Sequence, residues 1–233
     1  MARALTEPDR PLPKADHRWT WTVLGSAAAP WYRVYHRDQY TADGVSFRQF
    51  GPLGRFDHHT PPFATPDLDP EGRTVLYVAG DVATGACEVF GEAGAAPLCS
   101  NWRVSQVLPA REVVFYDLDQ PGAAMAIGAL PALATGNENR ELTQQWARAI
   151  FEDQPAPTKV EGIRYRTAYN NGLALALWDC VDALAVPTDA SGAPRDLPLR
   201  HERFLAAKKA LIRQQITVTE IADDDCTKCR PPT

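Results

Sequence analysis

The chain has 233 residues, 45% of them hydrophobic and 23% charged, which allows one domain with extensions or at most two small domains. A net charge of −5 argues against binding nucleic acid through its phosphate backbone, and no apolar run approaches the roughly 18 residues of a membrane span. Five widely spread cysteines and an N-terminus without a signal peptide's apolar segment fit reduced thiols in the cytoplasm.

Residues 1–30 read as an N-terminal arm, partly disordered, with Pro8, Pro11 and Pro13 among charges and Trp19 and Trp21 as anchors on the domain. The run Trp31-Tyr32-Arg33-Val34-Tyr35 predicts a strand, and alternation places Trp31, Arg33 and Tyr35 on one face. An unpaired guanidinium is costly to bury, so Arg33 is either laid along a sheet edge with its head in water or a ligand for an anion. Gly51-Pro52-Leu53-Gly54-Arg55-Phe56-Asp57 predicts a tight loop whose backbone can approach a ligand. His58-His59 lacks the i, i+4 spacing of metal ligands on one helix face, and the Asp67–Gly72 run is too short for a calcium loop.

Val75–Ala79 reads as a strand, Gly80-Asp81 as a turn, and Val82–Phe90 as a short helix capped by Asp81 or Thr84. At 100° per residue Val82, Ala86 and Phe90 share a face, and Glu88 falls roughly opposite, beside Thr84 and Gly85. Glu88 is therefore either a solvated glutamate or a carboxylate on the wall of a cleft. Gly91–Asn101 reads as loop, and Arg103–Leu108 and Glu112–Leu118 as strands. The clearest helix is Asn139–Glu152, where Leu142, Trp146 and Ile150 recur every four residues.

Gly162–Thr167 predicts a strand that ends on the Thr167 hydroxyl, and 173–179 a strand apolar on both faces, hence central in its sheet. A C-terminal extension over 186–233 holds an amphipathic helix, 201–214, a strand, 216–221, and a flexible tail. Cys226 and Cys229 form a lone C-x-x-C, for which zinc would need two further ligands; no metal site is expected.

Five polar residues have no place in this packing: Arg33, Arg55, Tyr77, Glu88 and Thr167. In order and spacing, WYRVY, GPLGRFD, LYVAGDVATGACEVF, VVFYDL, ELTQQWARAI and EGIRYRTAYNNGLALALWD resemble the RES domain family from about Trp31 to Asp179. The resemblance implies a catalytic domain over 31–185. The fold is then α+β, an ADP-ribosyltransferase-like mixed sheet core with flanking helices. It implies an NAD-degrading enzyme, a glycohydrolase or phosphorylase cleaving the nicotinamide–ribose bond, and the toxin of a bacterial toxin–antitoxin pair with an Xre-type antitoxin. NAD is then substrate, inorganic phosphate a candidate co-substrate, and no cofactor is held permanently.

Carried over by position, the catalytic set is Glu88, Arg33, Tyr77 and Thr167, and the substrate-binding set is Arg55, Arg33, Tyr77 and Thr167. Threonine at 167 departs from the family's serine. Glu88 would stabilise the ribosyl cation, the arginines the pyrophosphate, and Tyr77 the nicotinamide ring or a ribose hydroxyl. Transfer of ADP-ribose to a protein and a non-catalytic nucleotide- or partner-binding module are the alternative readings. The C-terminal helix is open to a homo-oligomer contact or to capping the sheet.

Overall fold

The computed structural model describes residues 4–23, 29–135 and 139–230. In chain order the elements are β1 (Arg18–Trp21), β2 (Trp31–His36), β3 (Phe50–Gly51), β4 (Asp67–Leu68), β5 (Val75–Ala79), α1 (Val82–Phe90), β6 (Ala95–Leu98), β7 (Trp102–Pro109) and β8 (Val113–Asp117). There follow α2 (Ala123–Ala126), α3 (Ala132–Thr135), α4 (Arg140–Asp153), β9 (Gly162–Arg166), β10 (Leu173–Trp178), β11 (Leu184–Ala185), β12 (Asp196–Pro198), α5 (Leu205–Arg213) and β13 (Thr217–Glu220).

The main sheet runs β1-β8-β9-β10-β5-β2-β7-β11, with β12 also on β7. Its pairs are antiparallel except β8–β9. This is the α+β class, a mixed sheet with helices against it. Strand β10, LALALW, lies between β9 and β5, where both of its faces are covered.

Register decides what each face carries. Tyr32 pairs with Ala79 and Ala79 with Ala174, so these share a face; counting by twos adds Val34, Tyr77, Ala176 and Tyr165. On this face two hydrophobic clusters sit side by side. One gathers α2, α3, α4 and Phe56 around Tyr116, Ile163 and Trp178. The other gathers α1, α5 and the tail around Val34, Leu98 and Trp102. The reverse face is a third cluster that includes Trp31, Leu76, Val78 and Leu175.

Three segments depart from their sequence reading. The arm packs firmly from Leu5 to Trp21, since Leu5 and Leu12 enter the core, the Trp146 indole donates to the Thr6 carbonyl, and β1 adds an edge strand to β8. Its prolines exclude helix, but two well-placed leucines suffice for docking; residues 1–3 and 24–28 of the expected arm lie outside the described residues. The loop expected over 91–101 contains β6, because β13 returns from the C-terminus to pair with it in parallel. Strand β12 extends the sheet to Pro198, past the expected boundary at 185. Among the described residues no helix is long and apolar enough to cross a membrane.

Candidate functional site

The two clusters on the first face do not meet. Between them lies a cavity of about 230 Å³, floored by the sheet at Tyr32, Val34, Tyr77 and Ala174. Arg55 and Gly54 form one wall, and Gly85 and Glu88 of α1 the other. It opens into a mouth of about 640 Å³ edged by Arg48, Phe63, Glu92, Arg140 and Tyr169. That mouth is in the size range of small-molecule sites.

Helix α1 delivers the carboxylate. Asp81 is its N-cap, accepting from the Thr84 N–H at 2.8 Å and from the Thr84 hydroxyl at 2.7 Å. Gly85 lets the helix lie close on the sheet, where a Cβ would stand 3.1 Å from Val34. With Ala86 and Phe90 buried against Val34 and Trp102, Glu88 is half-buried and turned to the cavity. Its Oε1 is buried without a hydrogen-bond partner. Burial lifts the carboxyl above its ordinary value, and Arg55 and the backbone N–H groups of Tyr169 and Ala168 offset part of that.

The glycine loop delivers Arg55, and Asp57 holds the loop. The buried Asp57 carboxylate accepts from the Leu53 and Gly54 N–H groups, at 2.5 and 3.0 Å, from Arg48 at 2.6 Å and from the Tyr77 hydroxyl at 2.7 Å. Burial works to raise its pKa, but Arg48 and these donors win and hold it below the usual carboxylate range. Gly54 is required here, because a Cβ would stand 2.6 Å from Tyr77 Oη. Gln144 of α4 donates to the Gly54 carbonyl at 2.7 Å and pins the loop from the other side. Arg55 itself lies over the rings of Phe56 and Tyr165, at 5.1 and 5.7 Å. Its two contacts to carbonyls, Arg166 and Leu133, are at the 3.5 Å limit, and its Nε is buried without a partner.

Of the five residues singled out by sequence, the structure brings Arg55, Tyr77 and Glu88 together. Tyr77 lines the cavity with its ring only, because its hydroxyl is taken: it donates to Asp57 and accepts from the Phe56 N–H. Arg33 is elsewhere. Strand alternation sends it to the reverse face of β2, where it stacks on Tyr35 and donates to the carbonyls of Ser46 (2.6 Å) and Asp43 (3.4 Å). Burial there lowers its pKa to about 10.

Thr167 stands behind the wall, 1% exposed. Its hydroxyl donates to Asn170 Oδ1 at 2.8 Å and accepts from the Gly172 N–H at 3.1 Å, and Asn170 donates in turn to Thr84 on α1 at 3.1 Å. It fixes the β9–β10 loop, whose Ala168 and Tyr169 edge the mouth. The expected catalytic and substrate-contacting residues Arg33 and Thr167 do not line the cavity in this structure; their polar atoms are engaged with the protein away from it.

Sequence reading missed Tyr32, Asp57 and Tyr165. Tyr32 carries the signal it needed: one residue before Arg33, it takes the opposite face. Nor is the Cys226–Cys229 pair alone, since His36 and Cys99 close around it, all four donor atoms lying within 4.8 Å of one another.

The fold is thus an α+β domain whose mixed sheet floors an aromatic cleft, with a carboxylate on one wall and an arginine on the other. The RES domain family model matches residues 30–204, and the chain belongs to that family. No curated protein matches it. Among solved structures, the crystal structure of the M. tuberculosis MbcT-MbcA toxin-antitoxin complex contains a similar chain, with a TM-score of 0.48 and 17% identity over 84% of this chain and 91% of that one.

Proposed function

We propose that the cleft binds NAD and that Glu88 promotes scission of its nicotinamide–ribose bond, making the protein an NAD-degrading toxin. The observation that carries this reading is a pair of buried polar atoms without partners among the described residues, Glu88 Oε1 and Arg55 Nε, on opposite walls of one aromatic cavity. Buried polar groups are normally hydrogen-bonded, so such a pair points to a ligand that completes it.

The chemistry asks little more of the protein. As the bond from ribose C1′ to the pyridinium nitrogen breaks, its electron pair neutralises the ring, and nicotinamide leaves without needing a proton. Positive charge develops on the ribose, and the Glu88 carboxylate stabilises it. Arg55 suits a pyrophosphate oxygen, and the rings of Tyr32, Tyr77 and Tyr165 suit the flat nicotinamide. Water or inorganic phosphate then adds to C1′, and water loses its second proton to bulk solvent. An antitoxin laid over the mouth between Phe63 and Arg140 would stop substrate entry.

The test is NAD loss with purified protein, with and without phosphate, beside Glu88→Gln. Removing the charge should lower the rate about 10²- to 10³-fold. Phosphate dependence would name the nucleophile. Wild-type activity should rise with pH through the raised pKa of Glu88, because the ionised form acts, and the variant should lack that rise. The raised pKa also means that ionising Glu88 disfavours the fold as pH passes its ordinary value of 4.5. Glu88→Gln should therefore be at least as stable as wild type at pH 7, which separates lost chemistry from lost structure. Unchanged NAD loss in the variant would remove Glu88 from the reaction, and label moving from NAD onto protein would favour ADP-ribosyl transfer.

A further inference from the structure

His36 ends β2, Cys99 follows β6, and Cys226 and Cys229 lie in the tail, yet their donor atoms fall within 4.8 Å of one another. Three chain segments separated by 63 and 127 residues thus converge on one point, as the numbering of His36, Cys99 and Cys226 shows. We propose that these four side chains form a structural zinc site, Cys3His, that fastens the C-terminal extension to the sheet.

The geometry fits a tetrahedron. The Nε2 of His36 lies 3.4 Å from the sulfur of Cys229, 3.5 Å from that of Cys99 and 3.7 Å from that of Cys226. Cys99 and Cys229 are 3.5 Å apart. Zinc at about 2.3 Å from sulfur and 2.0–2.1 Å from nitrogen requires tetrahedral edges of about 3.5–3.8 Å. A disulfide would need about 2.05 Å, so the cysteines are free thiols at ligand spacing.

The surroundings fit as well. His36, Cys99 and Cys226 are buried, and the group offers four donors with no open coordination position, which is the closed pattern of structural zinc. Thiolate and imidazole select zinc over calcium or magnesium. Asn101 donates to the Cys229 sulfur at 3.4 Å, and the second ring nitrogen of His36 is buried without a partner, 3.9 Å from the Asp38 carboxylate. Outer groups of this kind orient a metal-bound imidazole. Binding Zn2+ to three thiols releases three protons and leaves one net negative charge, and Lys228, over the Trp102 ring, lies near to balance it.

What the site fastens matters to the cleft. Trp102 stacks on His36 at 5.2 Å and on Phe90 at 4.7 Å, and Phe90 is the last residue of α1. The two tail ligands lie beyond residue 204, where the family match ends.

The experiment is metal analysis of the untagged full chain, purified in reductant without chelator, beside Cys226→Ser/Cys229→Ser and a control, Cys180→Ala, at a buried thiol remote from the cluster. About one zinc per chain is expected in wild type and control, and near none in the double variant. Cobalt exchanged into wild type should show thiolate-to-metal charge transfer and a tetrahedral d–d spectrum, which decides the matter even if the double variant fails to fold. Wild-type protein that takes up no zinc on incubation, a cobalt spectrum without thiolate bands, or a Cys99–Cys229 disulfide found in freshly purified protein would each overturn the proposal.

Discussion

Arg55 and Arg33 are both arginines at partly buried positions, yet their environments are opposite. Arg33 reaches over the reverse face of the sheet to the Ser46 and Asp43 carbonyls and rests on Tyr35. Its charge is accommodated by the protein alone. Arg55 projects into the cleft with two hydrogen bonds at the distance limit and a buried Nε that has no partner among the described residues. Residue type does not separate the two. The separation lies in which donors remain for a ligand, and strand alternation decides it for Arg33 before any chemistry begins.

The largest effect bearing on this comparison comes from the group that aims Arg55. Asp57→Ala would leave Arg48, the Tyr77 hydroxyl and two loop N–H groups without their acceptor. Breaking such a buried pair costs about 3–5 kcal/mol. For a chain of this size that lowers Tm by about 10 °C. Because the pKa of Asp57 is held below 3.8, its contribution is present above that value and lost as pH falls through the folded pKa. Thermal melts of wild type and variant should accordingly converge in acid; parallel curves would remove the clamp from the account.

Next in size is the arginine pair itself. Arg55→Gln should raise the KM for NAD about tenfold or more, one charge-assisted hydrogen bond being worth about 1.5–3 kcal/mol. Arg33→Gln should leave KM unchanged and lower stability by about 1–3 kcal/mol, through the stranded carbonyls. A KM shift in Arg33→Gln as large as in Arg55→Gln would dissolve the distinction. The smallest effect is reserved for Thr167→Ser, which keeps the hydroxyl that grips Asn170 and Gly172 and removes only a buried methyl, about 1 kcal/mol or less. Steady-state rates should barely change; a large gain or loss would return residue 167 to the substrate.

How much of this could be read from sequence follows the range of the interactions. The α1 segment was legible to its cap, because Asp81, Thr84 and the Val82–Ala86–Phe90 spacing are local. The central position of β10 was legible because its composition is apolar on both faces. The glycine loop was recognisable from Gly51 to Asp57, but not that Asp57 holds it, since Arg48 and Tyr77 arrive from two other segments. Alternation places Arg33 on one face of β2, but which face carries the cleft depends on the Tyr32–Ala79 register, and that register puts Arg33 on the opposite one. The four-residue cluster escaped for the same reason: Cys226 and Cys229 are legible as a C-x-x-C, but no pattern within the tail announces His36 or Cys99.

The one parallel contact in the main sheet has a consequence for how the molecule comes into being. To set β9 beside β8 in the same direction, the chain detours through 118–161, and β10 then enters between β9 and β5, a strand made almost 100 residues earlier. Glu88 and Arg55 leave the ribosome first, while Tyr165 and Ala174 of the same cavity come from β9 and β10. Contacts so distant in sequence form slowly, and N-terminal segments must wait for them. No partial product that stops short of Trp178 holds an assembled cleft, so translation has to pass residue 178 before the candidate site exists.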